Sequence, residues 1–231
     1  MGATSARPRR TALLLLACGS LLIAGCGSSS SSSSSNSRSA STPAATSTQS
    51  TQGTAGQPGP ERVPLEPGAP LASASSTLQG KTVNGIQCAP LEQLAYHIHA
   101  HLQVYVDGSP RALPAAIGLV GPVAQQTPVG PFYGAQGCYY WLHTHATDGI
   151  IHIESPTQRI YTLGNFFDEW HQPLSANQVA DAGGPVVAFV NGKRFTGNPR
   201  SIPLDPHAVI QLDVGSPAVK FQPFSWNGFG L

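Results

Sequence analysis

Polar and apolar residues alternate most cleanly in HIHAHLQVYVDG, where Ile98, Ala100, Leu102, Val104 and Val106 form one series and His97, His99, His101, Gln103 and Tyr105 the other. Successive side chains of a β-strand point to opposite faces, so this stretch predicts a strand with an apolar face and a histidine face. Asp107-Gly108-Ser109-Pro110 reads as a turn, and RALPAAIGLV as a further strand or loop. GPVAQQTPVGPFYGAQG is rich in Gly and Pro and predicts a loop. CYYWLHTH, ATDG and IIHIESP read as a hairpin around Asp148-Gly149. In an antiparallel pair the opposed residue numbers have a constant sum. A two-residue loop opposes His145 to His152, and a four-residue loop opposes His143 to His152. Either places His143, His145, His152 and Glu154 on one face.

The period then changes. RIYTLGNFFDEWHQPL predicts a short helix capped by Thr162, buried through Phe166, Phe167 and Trp170 and stopped by Pro173. SANQVADAGG suggests a second short helix between Ser175 and Gly184. PVVAFV-NG-KRF predicts a hairpin with a type I′ turn at Asn191-Gly192, and AVIQLDVG a last strand. The aromatics of the tail, Phe221, Phe224, Trp226 and Phe229, are expected to pack on the domain. The class is mainly β, a sandwich or barrel with one or two short helices.

The front of the chain has no such pattern. Arg7, Arg9 and Arg10 precede an apolar run too short for a comfortable membrane span, ending in LIAGC. This segment resembles the lipobox of bacterial lipoproteins. The resemblance implies that residues 1–25 are a signal peptide and that Cys26 is lipidated, leaving the protein in the cell envelope, lipid-anchored on the extracytoplasmic face with the membrane as a partner. Residues 26–74, rich in Ser, Thr, Pro and Gly, carry few apolar side chains and predict a disordered tether. Residues 75–231 are then the folded domain. Of the four cysteines, Cys18 lies in the apolar run and Cys26 is the lipidation candidate, so Cys88 and Cys138 are expected to form a disulfide in an oxidising compartment. The formal charge is +1 without a basic run in the domain, which argues against nucleic acid as a partner.

Six of the eight histidines lie between positions 97 and 152. Imidazole is the commonest protein ligand for transition metals, and ligands must sit about 2 Å from the ion on several sides. Residues i and i+2 of a strand are about 6.5–7 Å apart, so one ion cannot take His97, His99 and His101 together. One or two of them should join His143, His145 or His152 from the hairpin, with Glu154 as a ligand or an orienting partner. A bridge between Cys88 and Cys138 would bring the starts of the two histidine segments together. Asp148 is read as a turn residue, and His171 and His207 are left outside the site. The donor set suits Zn, Cu, Ni or Fe as a divalent ion. The expected function is metal capture, buffering or delivery. One alternative is a metal-dependent enzyme whose ion is held by three histidines, or by two histidines and a glutamate. The other is a non-metal binding or structural lipoprotein. Of the familiar catalytic signatures, GxSxG, SxxK, HExxH and a phosphate loop are absent. YWLHTH, GIIHIESP and YTLGNFFDEW together resemble secreted prokaryotic proteins that have not been characterised, which implies a shared domain and no particular chemistry.

Overall fold

The structure is a computed structural model that describes residues 53–75 and 78–231. The signal segment, Cys26 and the serine-rich tract up to residue 52 lie outside the described residues. Among the described residues the fold is mainly β and sandwich-like, without a closed barrel. Among the described residues, no helix is long and apolar enough to cross a membrane.

The strand of alternating histidines is β2 (Tyr96–Val106), at the heart of a seven-stranded sheet. Its apolar series turns inward: Ala100, Leu102 and Val104 are buried, and Ile98 and Val106 pack against the core from its margin. β3 (Ser109–Arg111) returns after a tight turn at Asp107-Gly108 and pairs with the far end of β2. On one side of β2 lies β13 (Ala208–Val214), in parallel register, followed by the hairpin of β11 (Val186–Val190) and β12 (Lys193–Phe195). Asn191 and Gly192 both have positive φ, as a type I′ turn requires. On the other side lie β7 (Ile150–Ser155) and then β6 (Leu142–His143).

The Gly/Pro-rich stretch expected to be a loop is a hairpin of two long strands, β4 (Leu119–Thr127) and β5 (Gly130–Tyr140). Pro122 is tolerated because β4 is the edge of its sheet and the register shifts at Val120/Pro122. β1 (Cys88–Ala89) pairs with the end of β5. The Cys88–Cys138 disulfide closes there, with Cα atoms 5.4 Å apart. It ties the chain just before β2 to the chain just before β6.

Thr162 caps α1 (Leu163–Trp170) as expected, within a capping box completed by Asn165. Phe166, Phe167 and Trp170 are buried in the core. The second helix does not form. Residues 174–183 make a small sheet of β8 (Leu174–Ser175), β9 (Gln178–Val179) and β10 (Ala182–Gly183). A segment this short is a marginal helix. Here the main chain bonds instead to nearby strands and loops, as in Ala180 N–H to Pro173 O (2.8 Å) and Val186 N–H to Ala176 O (2.9 Å).

The domain also begins earlier than residue 75. Val63, Leu65 and Leu71 of the supposed tether are buried. Each contributes about 1.5–3 kcal/mol of burial, against roughly 1–2 kcal/mol per residue to order the backbone. Glu66 N–H bonds to Thr147 O (2.8 Å), Leu71 N–H to Ala112 O (2.9 Å), and Trp170 Nε1 donates to Ser73 O (2.7 Å). This segment is part of the fold.

Candidate metal centre

Strand pairing assembles the site. β2 and β7 are antiparallel with His99 opposite His152 and His97 opposite Glu154. β7 and β6 are antiparallel with His143 opposite His152, the register of the four-residue loop. Directly opposed residues share a face. Three adjacent strands therefore present His97, His99, His152, Glu154 and His143 on one side. The alternating residues Ala100, Ile151, Ile153 and Leu142 are buried on the other. His145 lies beyond β6 and is drawn in by β5: its Nδ1 is 2.6 Å from Tyr133 O, and its ring stacks on Phe132 at 4.4 Å between centroids.

The result is two sets of potential ligands. His143, His145, His152 and Glu154, all buried, each offer one ligand atom, and these atoms lie within 4.8 Å of one another. His97, His99 and His152 do the same. His97 is the exposed member, at 38% for its side chain.

Two carboxylates escaped the sequence reading. Glu61 Oε1 is 3.0 Å from His152 Nε2, and Glu92 Oε1 is 3.4 Å from His145 Nε2. Glu61 was hidden in the Pro/Gly-rich tract, where the nearby Val63 and Leu65 were the available signal. Glu92 sits between β1 and β2, on a loop with no periodicity to mark it.

His101 is not brought into either set, although it shares the face of His97 and His99. Its ring stacks on Phe224 of the C-terminal tail at 3.8 Å between centroids. Gly149 also closes against it: a Cβ there would lie 2.8 Å from His101 Nε2, at a backbone φ of +78. Asp148 is a turn residue, its Oδ1 accepting from Ile150 N–H at 3.1 Å. It is also buried beside Glu61. Burial and the Glu61 charge push its carboxyl up to about 8. His171 caps α1 in the left-handed conformation. His207 precedes β13, stacks on Trp226 and lies 3.0 Å from Leu231 O.

The tautomers of the inner pair follow from their partners. His143 Nδ1 faces Tyr140 O at 2.8 Å, and His145 Nδ1 faces Tyr133 O at 2.6 Å. A carbonyl only accepts, so both Nδ1 atoms carry hydrogen, and in the neutral rings both Nε2 atoms are bare lone pairs. These two Nε2 atoms are 3.1 Å apart. Two carboxylate oxygens nearby are also acceptors: Glu92 Oε1 at 3.4 Å from His145 Nε2 and Glu154 Oε2 at 3.8 Å from His143 Nε2. Glu154 Oε2 is buried and has no hydrogen-bond partner among the described residues. Such a convergence of acceptors is repulsive unless a proton or a metal cation stands among them. Burial pushes His143 well below its usual range and His145 down to about 4, in both cases with help from neighbouring histidines. A proton between these two nitrogens is thus disfavoured at neutral pH, and a metal cation fits there.

His152 is different. Burial pulls its proton affinity down, but the Glu61 charge and contact with Glu154 outweigh burial and raise the ring to about 10. Its Nδ1 is 3.3 Å from Glu154 Oε1. Metal-free, it is an imidazolium between two carboxylates. Burial and the charges of His152 and His97 lower His99 to about 3.

Comparisons with protein-family models, curated proteins and solved structures find no match for the chain.

Proposed function

We propose that the protein binds a divalent transition metal through this centre and serves to capture, buffer or deliver it outside the cytoplasm. One observation carries the reading. His143 and His145 turn two unprotonated nitrogens towards each other at 3.1 Å, beside the carboxylates of Glu154 and Glu92 and away from solvent. Metal ligands with bonds of about 2.0–2.2 Å to an ion lie roughly 2.8–3.6 Å from each other, which accommodates the spacing found. The donors are imidazole and carboxylate, and Cys88 and Cys138 are consumed by the disulfide. That set suits Zn, Cu, Ni or Fe. Backbone carbonyls fix the tautomer and direction of both rings, as partners of metal-bound histidines do. The buried set alone supplies four protein donors, enough to fill a tetrahedral ion, which favours holding the metal over opening a coordination position for catalysis.

The LIAGC segment supports a lipid anchor at Cys26, and the disulfide is consistent with an oxidising compartment. The chain would then work as a metal-binding domain tethered to the extracytoplasmic face of a membrane. The test is elemental analysis of protein purified without a polyhistidine tag. Stoichiometric bound metal is expected, with loss of the ion held by the buried set in His143→Ala. Metal-free protein that takes up none of the four ions under titration would refute the proposal.

A further inference from the structure

We infer that the centre holds two divalent ions side by side, an inference that rests on the metal-binding reading above. The two ligand sets have only His152 in common. In the outer set, His97 Nε2 is 3.0 Å from His99 Nε2 and 3.1 Å from Glu154 Oε1. His152 Nδ1 is 3.3 Å from the same Oε1. These separations match neighbouring ligands around one ion with bonds of about 2.0–2.2 Å. In the inner set, His143 and His145 converge at 3.1 Å beside Glu154 Oε2. His97/His99 and His143/His145 come from β2 and from β6 with its continuation, and β7 lies between them. Their side chains approach Glu154 from strands on either side of β7 and gather as two sets of ligand atoms.

Glu154 connects the two sets. Its Oε1 faces His97 and His152, while its Oε2 faces His143. A carboxylate that turns one oxygen to each of two nitrogen sets is placed to bridge two ions, which in two-metal sites lie about 3.5–4 Å apart. The ions differ in access. The inner ligands are buried, whereas the outer set opens to solvent at His97. The outer ion exchanges first, and the inner one is retained.

The experiment is a titration of tag-free, chelator-stripped protein with Zn(II), counting bound metal by mass spectrometry after gel filtration. Two equivalents are expected, falling to one in the His97→Ala/His99→Ala double variant. Cu(II)-loaded wild type should give an exchange-coupled electron paramagnetic resonance spectrum that becomes that of an isolated ion in the double variant. Saturation at one equivalent in the wild type overturns the second ion and leaves the metal-binding reading standing. Uptake of none overturns both. Two equivalents that persist in the double variant overturn the assignment of the outer ion to His97 and His99. Far-UV circular dichroism checks that the variant is folded, and because His97 lies at the surface, His97→Gln alone provides a milder second variant with the same expected loss.

Discussion

Metal affinity should rise about tenfold per pH unit above neutrality, because the ion must displace a proton from His152. Burial lowers this ring's proton affinity, but the charges of Glu61 and Glu154 on either side outweigh burial and raise it to about 10. A ligand nitrogen must present a lone pair, so binding at pH 7 requires removal of a proton held about three pH units more tightly than the solution holds it, roughly 4 kcal/mol. The sign is fixed: a raised value in the fold means that the proton stabilises the metal-free protein at low pH, and this contribution fades as pH climbs towards 10. Competition with the metal fades with it. The inner rings His143 and His145 are already neutral at pH 7 and release nothing. The slope of log K against pH should therefore be close to one, about a hundredfold between pH 6.5 and 8.5. Competition against a chromophoric chelator, corrected for the chelator's own protonation, measures it. Exposed histidines would instead titrate near 6.5 and leave affinity flat above about pH 7.5. A flat profile from about pH 7 to 8.5 would refute the role given to His152. Glu61→Gln should shrink the slope in this window, since it removes the charge that contributes most to holding the proton.

Other outcomes follow from the fold. Replacing Cys88 and Cys138 with serine opens a loop of sequence separation 50. The loop-entropy relation gives a loss of about 4 kcal/mol, or roughly 8–16 °C in Tm for a domain of this size, readable by calorimetry. His99→Ala should lower bound metal from two equivalents towards one, while His101→Ala, whose ring stacks on Phe224, should leave both equivalents in place, both checked by elemental analysis. Thr162→Ala removes the hydroxyl that accepts from Asn165 N–H and should cost about 1 kcal/mol in urea denaturation. Adding metal at about a hundred times its Kd should stabilise the protein by about 2.7 kcal/mol in the same assay, and excess chelator should reverse the gain.

What could be read from the sequence is what carries a period or a cap. β2, β7, β13, the Asn191-Gly192 hairpin and α1 announce themselves by alternation, by turn residues or by Thr162. The face shared by His143, His152 and Glu154 follows from parity alone. Composition misleads where tertiary contacts override it. Pro122 and the glycines of β4 and β5 look like loop, yet an edge strand with a shifted register accepts them. Ser175 and Gly184 look like helix caps around a segment whose main chain bonds elsewhere. The tract holding Glu61 is polar on average, and only Val63, Leu65 and Leu71 show that it returns to the core. Periodicity places His101 on the correct face but says nothing of how far the site extends along it. The C-terminal tail decides that by setting Phe224 on the ring.

The position of the site within the sheet explains why these donors remain together at all. Ala100, Ile151, Ile153 and Leu142, which alternate with the histidines and Glu154 on β2, β7 and β6, lie under the sheet in the core. Their packing holds the three strands in register, and the register in turn fixes the spacing of the imidazoles. An arrangement of facing acceptors would relax by rotating the rings apart if the rings were free to turn. His143 and His145 cannot do so without breaking their bonds to Tyr140 O and Tyr133 O. A buried hydrogen bond left unmade costs about 1–3 kcal/mol on the orphaned partner. The fold thus holds the nitrogens in an arrangement that is unfavourable for the metal-free protein and becomes favourable when a cation neutralises it. This is preorganisation, and it puts the gain in affinity on the metal rather than on the protein's own contacts.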